Sequence, residues 1–179
     1  TIVDNLNMGS YKTFETERLF LQPTSEEDAA FIFELLNTPK WIENFGDRNI
    51  MSVKMAKDYI VKKMLPQLER LGYGNYTLIR KIDGVKIGSC GLYDREGLEG
   101  IDIGFAFLPE YEGKGFAFEA ADRLKNAAFN EFGLNTISAI TSKHNVASQK
   151  LLGKLGLELK GTTTLSNDNE ELLLYKIEK

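Results

Sequence analysis

The chain is poor in the residues that staple or metallate small proteins. It has one cysteine, Cys90, so no internal disulfide can form. Cys90 lies among Ile87, Gly88, Ser89 and Leu92, a strand-like setting that predicts a buried, inert thiol. It also has one histidine, His144. One cysteine and one histidine cannot build a typical structural zinc site, and no metal is expected. Without a matched serine or cysteine motif there is no catalytic triad either, and His144 reads as a surface loop residue. Positive charge is in deficit: 22 Lys and Arg against 26 Asp and Glu give −4, with a pI near 5.2. With no basic run, a nucleic-acid-binding surface is not expected. No apolar stretch approaches a membrane span, and the N-terminus lacks the charged start and apolar core of a secretory signal. The expected location is cytoplasmic. What the chain does have is 179 residues that are 42% hydrophobic, enough to bury a core. There are no repeats, low-complexity tracts or linkers. Residues 1–179 therefore read as a single domain, with 1–14 a loose leader.

The pattern along the chain predicts a mixed α/β sheet. Arg18 to Gln22 reads as a strand stopped by Pro23. Thr24 or Ser25, followed by Glu27 and Asp28, starts a helix that Asn37 and Pro39 end. Trp41 to Phe45 reads as a loop or half-turn. Ser52 caps a second helix that Pro66 breaks and Gly72 ends. Asn75–Ile82 and Val85–Tyr93 flank Asp83-Gly84, a hairpin signal. Ile101–Leu108 is a third strand of this group. A helix on Ala117, Ala120, Ala121, Leu124, Ala128 and Phe132 follows, and then a strand at Thr136–Thr141. Such a strand–helix–strand unit is a right-handed parallel crossover. Asn145 caps the last helix, ended by Gly156. Leu157–Thr164 and Glu171–Ile177 close the sheet around Ser166-Asn167-Asp168-Asn169.

The segment Tyr111-Glu112-Gly113-Lys114-Gly115-Phe116-Ala117 joins a strand to a helix. Glycines let the backbone approach a ligand, and the helix start presents unpaired N–H groups that favour an anion. Two phosphate motifs fail by spacing. No Ser or Thr follows Lys114, as a P-loop requires. Phe118 stands where the dinucleotide fingerprint needs a small residue. A cofactor of the NAD or ATP type is thus disfavoured.

A second segment, Asn145-Val146-Ala147-Ser148 through Leu157, places Asn145 at a helix cap and Ser148 on the same face. Taken in order with Glu15–Leu21, Ile87-Gly88-Ser89-Cys90-Gly91-Leu92, and Asp102–Phe105 through Gly113-Lys114-Gly115 and Glu119-Ala120, this resembles the GNAT acetyltransferase superfamily. Within it, the chain is similar to the ribosomal-protein N-terminal acetyltransferases (RimJ/RimL-like). The resemblance implies a mostly antiparallel mixed sheet of about six to seven strands, a parallel pair splayed around acetyl-CoA, and about four flanking helices. There are three departures. Glu112 stands where the turn pattern has Gln or Arg, placing a negative charge near the expected pyrophosphate. Gln22 stands where arginine is common, and Leu157 where phenylalanine is.

The resemblance also implies a site. Acetyl-CoA would be held by Phe105, Ala106, Phe107 and Leu108 along a strand, by Gly113, Lys114, Gly115, Phe116 and Ala117 at the turn, and by Asn145 and Ser148. Transfer to an amine is direct, with coenzyme A as product. Ser148 is the candidate acid or sulfur hydrogen-bond donor. Asp102 is a candidate base, with a solvated strand-edge acid as the equal alternative. Trp41, Phe45 and Tyr93 are candidates for the acceptor pocket. Acids at Glu26, Glu27, Asp28, Glu34, Glu43 and Asp47 suit a cationic acceptor, or equally a solvated helix face. The acceptor is a small-molecule amine or a protein N-terminus. A non-catalytic acyl-CoA-binding or sensing module is the alternative reading. Oligomeric state is not written in the sequence; a homodimer is the commonest arrangement among oligomers.

Overall fold

A computed structural model describes residues 8–165 and 169–179. Most of the presumed leader, 1–7, and the turn residues Ser166, Asn167 and Asp168 lie outside the described residues. All eight strands join one sheet in the order β1-β2-β3-β4-β5-β6-β8-β7. They are β1 (Phe14–Glu15), β2 (Leu19–Pro23), β3 (Asn75–Arg80), β4 (Lys86–Tyr93), β5 (Asp102–Phe107), β6 (Thr136–Thr141), β7 (Glu158–Thr163) and β8 (Leu172–Glu178). Every pairing is antiparallel except β5 with β6. That parallel pair shares a single register position, Asp102 opposite Ser138. Ser138 N–H donates to the Ile101 carbonyl at 2.9 Å there. Beyond that point the two strands diverge.

The strand count exceeds the expectation because the leader is partly structured. Phe14 is 3% exposed and packs edge-on against Tyr76 (5.6 Å between centroids) and Phe132 (5.9 Å). That burial holds Phe14–Glu15 against β2, although a two-residue strand leaves no alternation for a sequence pattern to show.

The helices are α1 (Ala29–Leu36), α2 (Pro39–Phe45), α3 (Val53–Tyr59), α4 (Leu65–Leu71), α5 (Phe116–Asn130) and α6 (Val146–Lys154). Ser25 and Asp28 form a capping box on a 3-10 turn that runs into α1. Pro66 does not break its helix outright. A π-helical turn, Ile60–Met64, precedes it and carries α3 into α4, where the missing proline N–H is harmless. The structure thus holds five helical bodies, one of them bent.

The additional helix, α2, replaces the expected loop at Trp41–Phe45. Thr38 caps it by accepting from Trp41 N at 3.2 Å, with Pro39 in its first turn. Proline is pre-set for that position, so Thr-Pro starts a helix here as well as ending the previous one.

Two cores lie on opposite faces of the sheet, as alternation along β5 shows. Phe107 joins the core under α5 and α6. Leu108, with Ala106 packed beside it, joins the core of α1, α3 and α4. Helix α5 comes close to the sheet because its buried face is mostly alanine: Ala120, Ala121 and Ala128 are fully buried around Leu124. Truncating Leu124 to alanine would cost about 2–5 kcal/mol.

Candidate active site

The turn after β5 is built from a 3-10 segment, Pro109–Tyr111, and two left-handed glycines, Gly113 (φ +71°) and Gly115 (φ +83°). A side chain at Gly115 would be strained by φ and would press on Arg18 Nη2, 3.3 Å from an added Cβ. The first helical bond of α5 is Glu119 N–H to the Gly115 carbonyl, at 3.1 Å. The N–H groups of Phe116, Ala117 and Phe118 therefore have no intrahelical acceptor. A 15-residue helix also concentrates its positive dipole end at this turn.

Arg18 braces the turn from beneath. Its Nη1 donates to the Lys114 carbonyl at 3.1 Å, its Nε to Glu119 Oε1 at 2.8 Å, and its guanidinium stacks 4.1 Å from the Phe116 ring centroid. Glu119 Oε2 also accepts from the Thr16 hydroxyl and from Arg18 N–H. Burial raises the Glu119 pKa, but these hydrogen bonds more than reverse that and hold it below the ordinary value. On the other side of the turn, Glu112 ion-pairs with Lys40 at the start of α2.

The diverging strands and the turn enclose a cavity of about 660 Å³. It takes in Asp102, Phe105, Ala106 and Phe107 from β5, Gly113, Gly115, Phe116 and Ala117 from the turn and α5, Asn145 and Ser148 from α6, and Trp41 and Phe45 from α2. The Asn145 side chain accepts from Ser148 N–H at 3.2 Å, so it caps α6. Its Nδ2 makes no hydrogen bond among the described residues. The Trp41 and Phe45 rings lie 4.5 Å apart, and Trp41 Nε1 is buried without a partner.

Three expected site residues lie outside this lining. Tyr93 stacks across Gly91 and Gly104, and its hydroxyl donates to Asn75 Oδ1 at 2.6 Å. It serves the sheet rather than the cavity, and its hydroxyl is not free. Leu108 turns into the core of α1, α3 and α4, while its N–H bonds Ile87 across the sheet at 3.0 Å. Lys114 contributes its carbonyl to Arg18.

Asp102 is not a solvated edge acid. It is 1% exposed, inside the sheet, and gripped by Arg95 through Nε–Oδ1 and Nη2–Oδ2, both 3.1 Å. Burial pushes its pKa up, and Arg95 offsets only part of that rise. Of the acids considered for a cationic acceptor, only Glu43 lines the cavity. Asp28 is instead buried, accepting from Thr77 at 3.0 Å and pairing with Lys86 at 2.6 Å. His144 is exposed in the loop before α6, 3.9 Å from Glu43. Among the described residues no cluster of His, Cys, Asp or Glu suits a metal ion.

The residues that sequence reasoning missed are Arg18, Lys40 and Arg95. Each meets its acid through folding, from 101, 72 and 7 positions away, and α2, which carries Lys40, had been read as a loop. Arg18 stood within the Glu15–Leu21 segment already singled out, so its charge was the only available signal.

Known proteins share this architecture and sequence. Residues 18–158 match the acetyltransferase (GNAT) domain family. A protein named as the uncharacterized N-acetyltransferase p20 of Bacillus licheniformis is 31% identical over 153 residues, 84% of each chain. An acetyltransferase structure from Agrobacterium tumefaciens str. C58 has a TM-score of 0.81 at 24% identity, covering 98% of both chains. RimL, a ribosomal L7/L12 α-N-protein acetyltransferase solved in complex with coenzyme A, has a TM-score of 0.78 at 15% identity, covering 93% of this chain and 98% of its own. These two structures share the fold. The family match spans most of the chain, and a splayed strand pair opens onto a helix N-terminus at its centre. The chain belongs to the GNAT acetyltransferase family and is an acetyl-CoA-dependent N-acetyltransferase.

Proposed function

We propose that this enzyme moves an acetyl group from acetyl-CoA directly to a primary amine, as a member of the RimJ/RimL-like branch. The observation that carries this reading is the single point of contact between β5 and β6, which opens the sheet into a cavity floored by the N-terminus of α5. The residues present suit acetyl-CoA. The unbonded N–H groups of Phe116 to Phe118 suit its pyrophosphate, and the unpaired edge of β5 beyond Asp102 suits an extended amide-bearing arm. When bound, acetyl-CoA supplies a thioester as acyl donor. Backbone N–H groups of Phe105–Phe107 would polarise its carbonyl in the manner of an oxyanion hole. Asn145 Nδ2 would hold the arm, and the Ser148 hydroxyl would hydrogen-bond the departing sulfur. Asp102 would take the amine's proton, a role favoured by its raised pKa.

Trp41 and Phe45 would wall the acceptor side. The acceptor is a protein N-terminal α-amine or a small-molecule amine, and the fold likeness to RimL supports the first. One sheet with a core on each face supports residues 1–179 as one catalytic domain. Among the described residues no helix is long and apolar enough to cross a membrane.

Thermal unfolding with acetyl-CoA, NAD and ATP tests the donor. At about a hundred times its dissociation constant a ligand stabilises the native state by roughly 2.7 kcal/mol. A rise with acetyl-CoA alone supports the reading, and thiol release against peptide N-termini, polyamines and amino acids then finds the acceptor. No rise would overturn it. Asp102→Asn should lower kcat/KM for the amine by about 10²–10⁴ while leaving coenzyme A affinity intact. An unchanged pH–rate profile would remove Asp102 from the mechanism.

A further inference from the structure

Glu112 is the one residue of the turn that works against an anion, because it carries a negative charge where the family pattern has Gln or Arg. Lys40 reaches it from the first turn of α2, and both line the cavity beside Gly113 and Gly115. The backbone bearing Lys40 is well fixed. Thr38, 8% exposed, caps α2 and donates to the Leu35 carbonyl at 2.9 Å, and Pro39 rigidifies the first turn. The other cation at the turn is committed elsewhere: Arg18 is engaged by Glu119, the Lys114 carbonyl and the Phe116 ring.

We infer that Lys40 is a pyrophosphate-binding residue of this enzyme and that Glu112 positions it. The inference rests on acetyl-CoA as the donor. An ammonium group has three donors, so one can stay on Glu112 while the others engage phosphate oxygens. The ion pair cancels the charge of Glu112 and leaves a cation held at the mouth of the N–H cradle. A lysine supplied from α2 thereby takes the place of the polar or basic residue missing from the turn.

The test is calorimetric binding of coenzyme A and of S-acetylpantetheine, which lacks the pyrophosphate, to the wild type, Lys40→Met and the double variant Lys40→Met/Glu112→Gln. Lys40→Met should weaken coenzyme A about tenfold and leave S-acetylpantetheine unchanged. The double variant should stay weak, since removing the acid does not restore a phosphate contact. Wild-type affinity in the double variant would overturn the inference, reducing Lys40 to a neutraliser of Glu112. Equal weakening of both ligands, or no change in Lys40→Met, would overturn it as well. A wild type that does not bind coenzyme A would instead remove the donor assignment, and this inference with it.

Discussion

Arg95 and Asp102 show how much one buried pair decides. Asp102 is almost fully buried, and its one cationic partner is Arg95. Replacing Arg95 by methionine strands a carboxylate in the sheet and should cost about 3–5 kcal/mol near pH 8. The sign with pH follows from the raised pKa of Asp102. A raised acid contributes its full stability below the ordinary carboxylate range and loses it as pH rises through the folded value. Losing Arg95 raises that value further, so the deficit of Arg95→Met should shrink towards acid pH. Urea unfolding at two pH values checks this, and a deficit independent of pH would refute it. Glu119 has the opposite sign. Its depressed pKa gives stability present above the ordinary carboxylate value and lost as pH falls through the folded one. Glu119→Gln should therefore cost about 1–3 kcal/mol at neutral pH, with the gap closing at low pH in the same unfolding series. The sequence named both acids without revealing either partner, because ion pairs across the fold leave no local period. Asp102 was legible as a site residue but not as a buried one.

At the scale of elements, β4 explains why its two glycines mattered to the resemblance. A Cβ at Gly91 would lie 2.4 Å from the Tyr93 ring, and one at Gly88 would lie 2.6 Å from the Ala106 carbonyl. Gly91→Ala should push the Tyr93 ring off its packing, break its bond to Asn75 and cost about 1–3 kcal/mol, read as a lowered denaturation midpoint. An unchanged midpoint would mean the ring has another place to go. Most long elements were readable because period and punctuation agree: the Asp83-Gly84 hairpin, the alanine face of α5 and the Asn145 cap. The misread ones are short. Helix α2 spans seven residues, less than the two turns a 3.6 period needs to show, and Pro39 read as a stop. The π-helical turn at Ile60–Met64 is a local answer to Pro66 that has no sequence signature of its own.

For the whole molecule, the sheet is joined at its middle by one parallel register position and by the α5 crossover. Backbone groups on the opened edges of β5 and β6 should be the part most changed by the donor. Hydrogen exchange with and without coenzyme A should show slowing concentrated in Ile103–Phe107 and Phe116–Phe118, with little change in β2 and β3. Slowing spread evenly over all strands would argue for general stabilisation instead. The solitary Cys90 has a practical corollary. It is fully buried, and burial pushes its thiol up to about 12. A chromogenic thiol reagent added to turnover mixtures will see released coenzyme A and not the enzyme. The same reagent added with denaturant will titrate one sulfhydryl per chain, an internal clock for global opening of the fold.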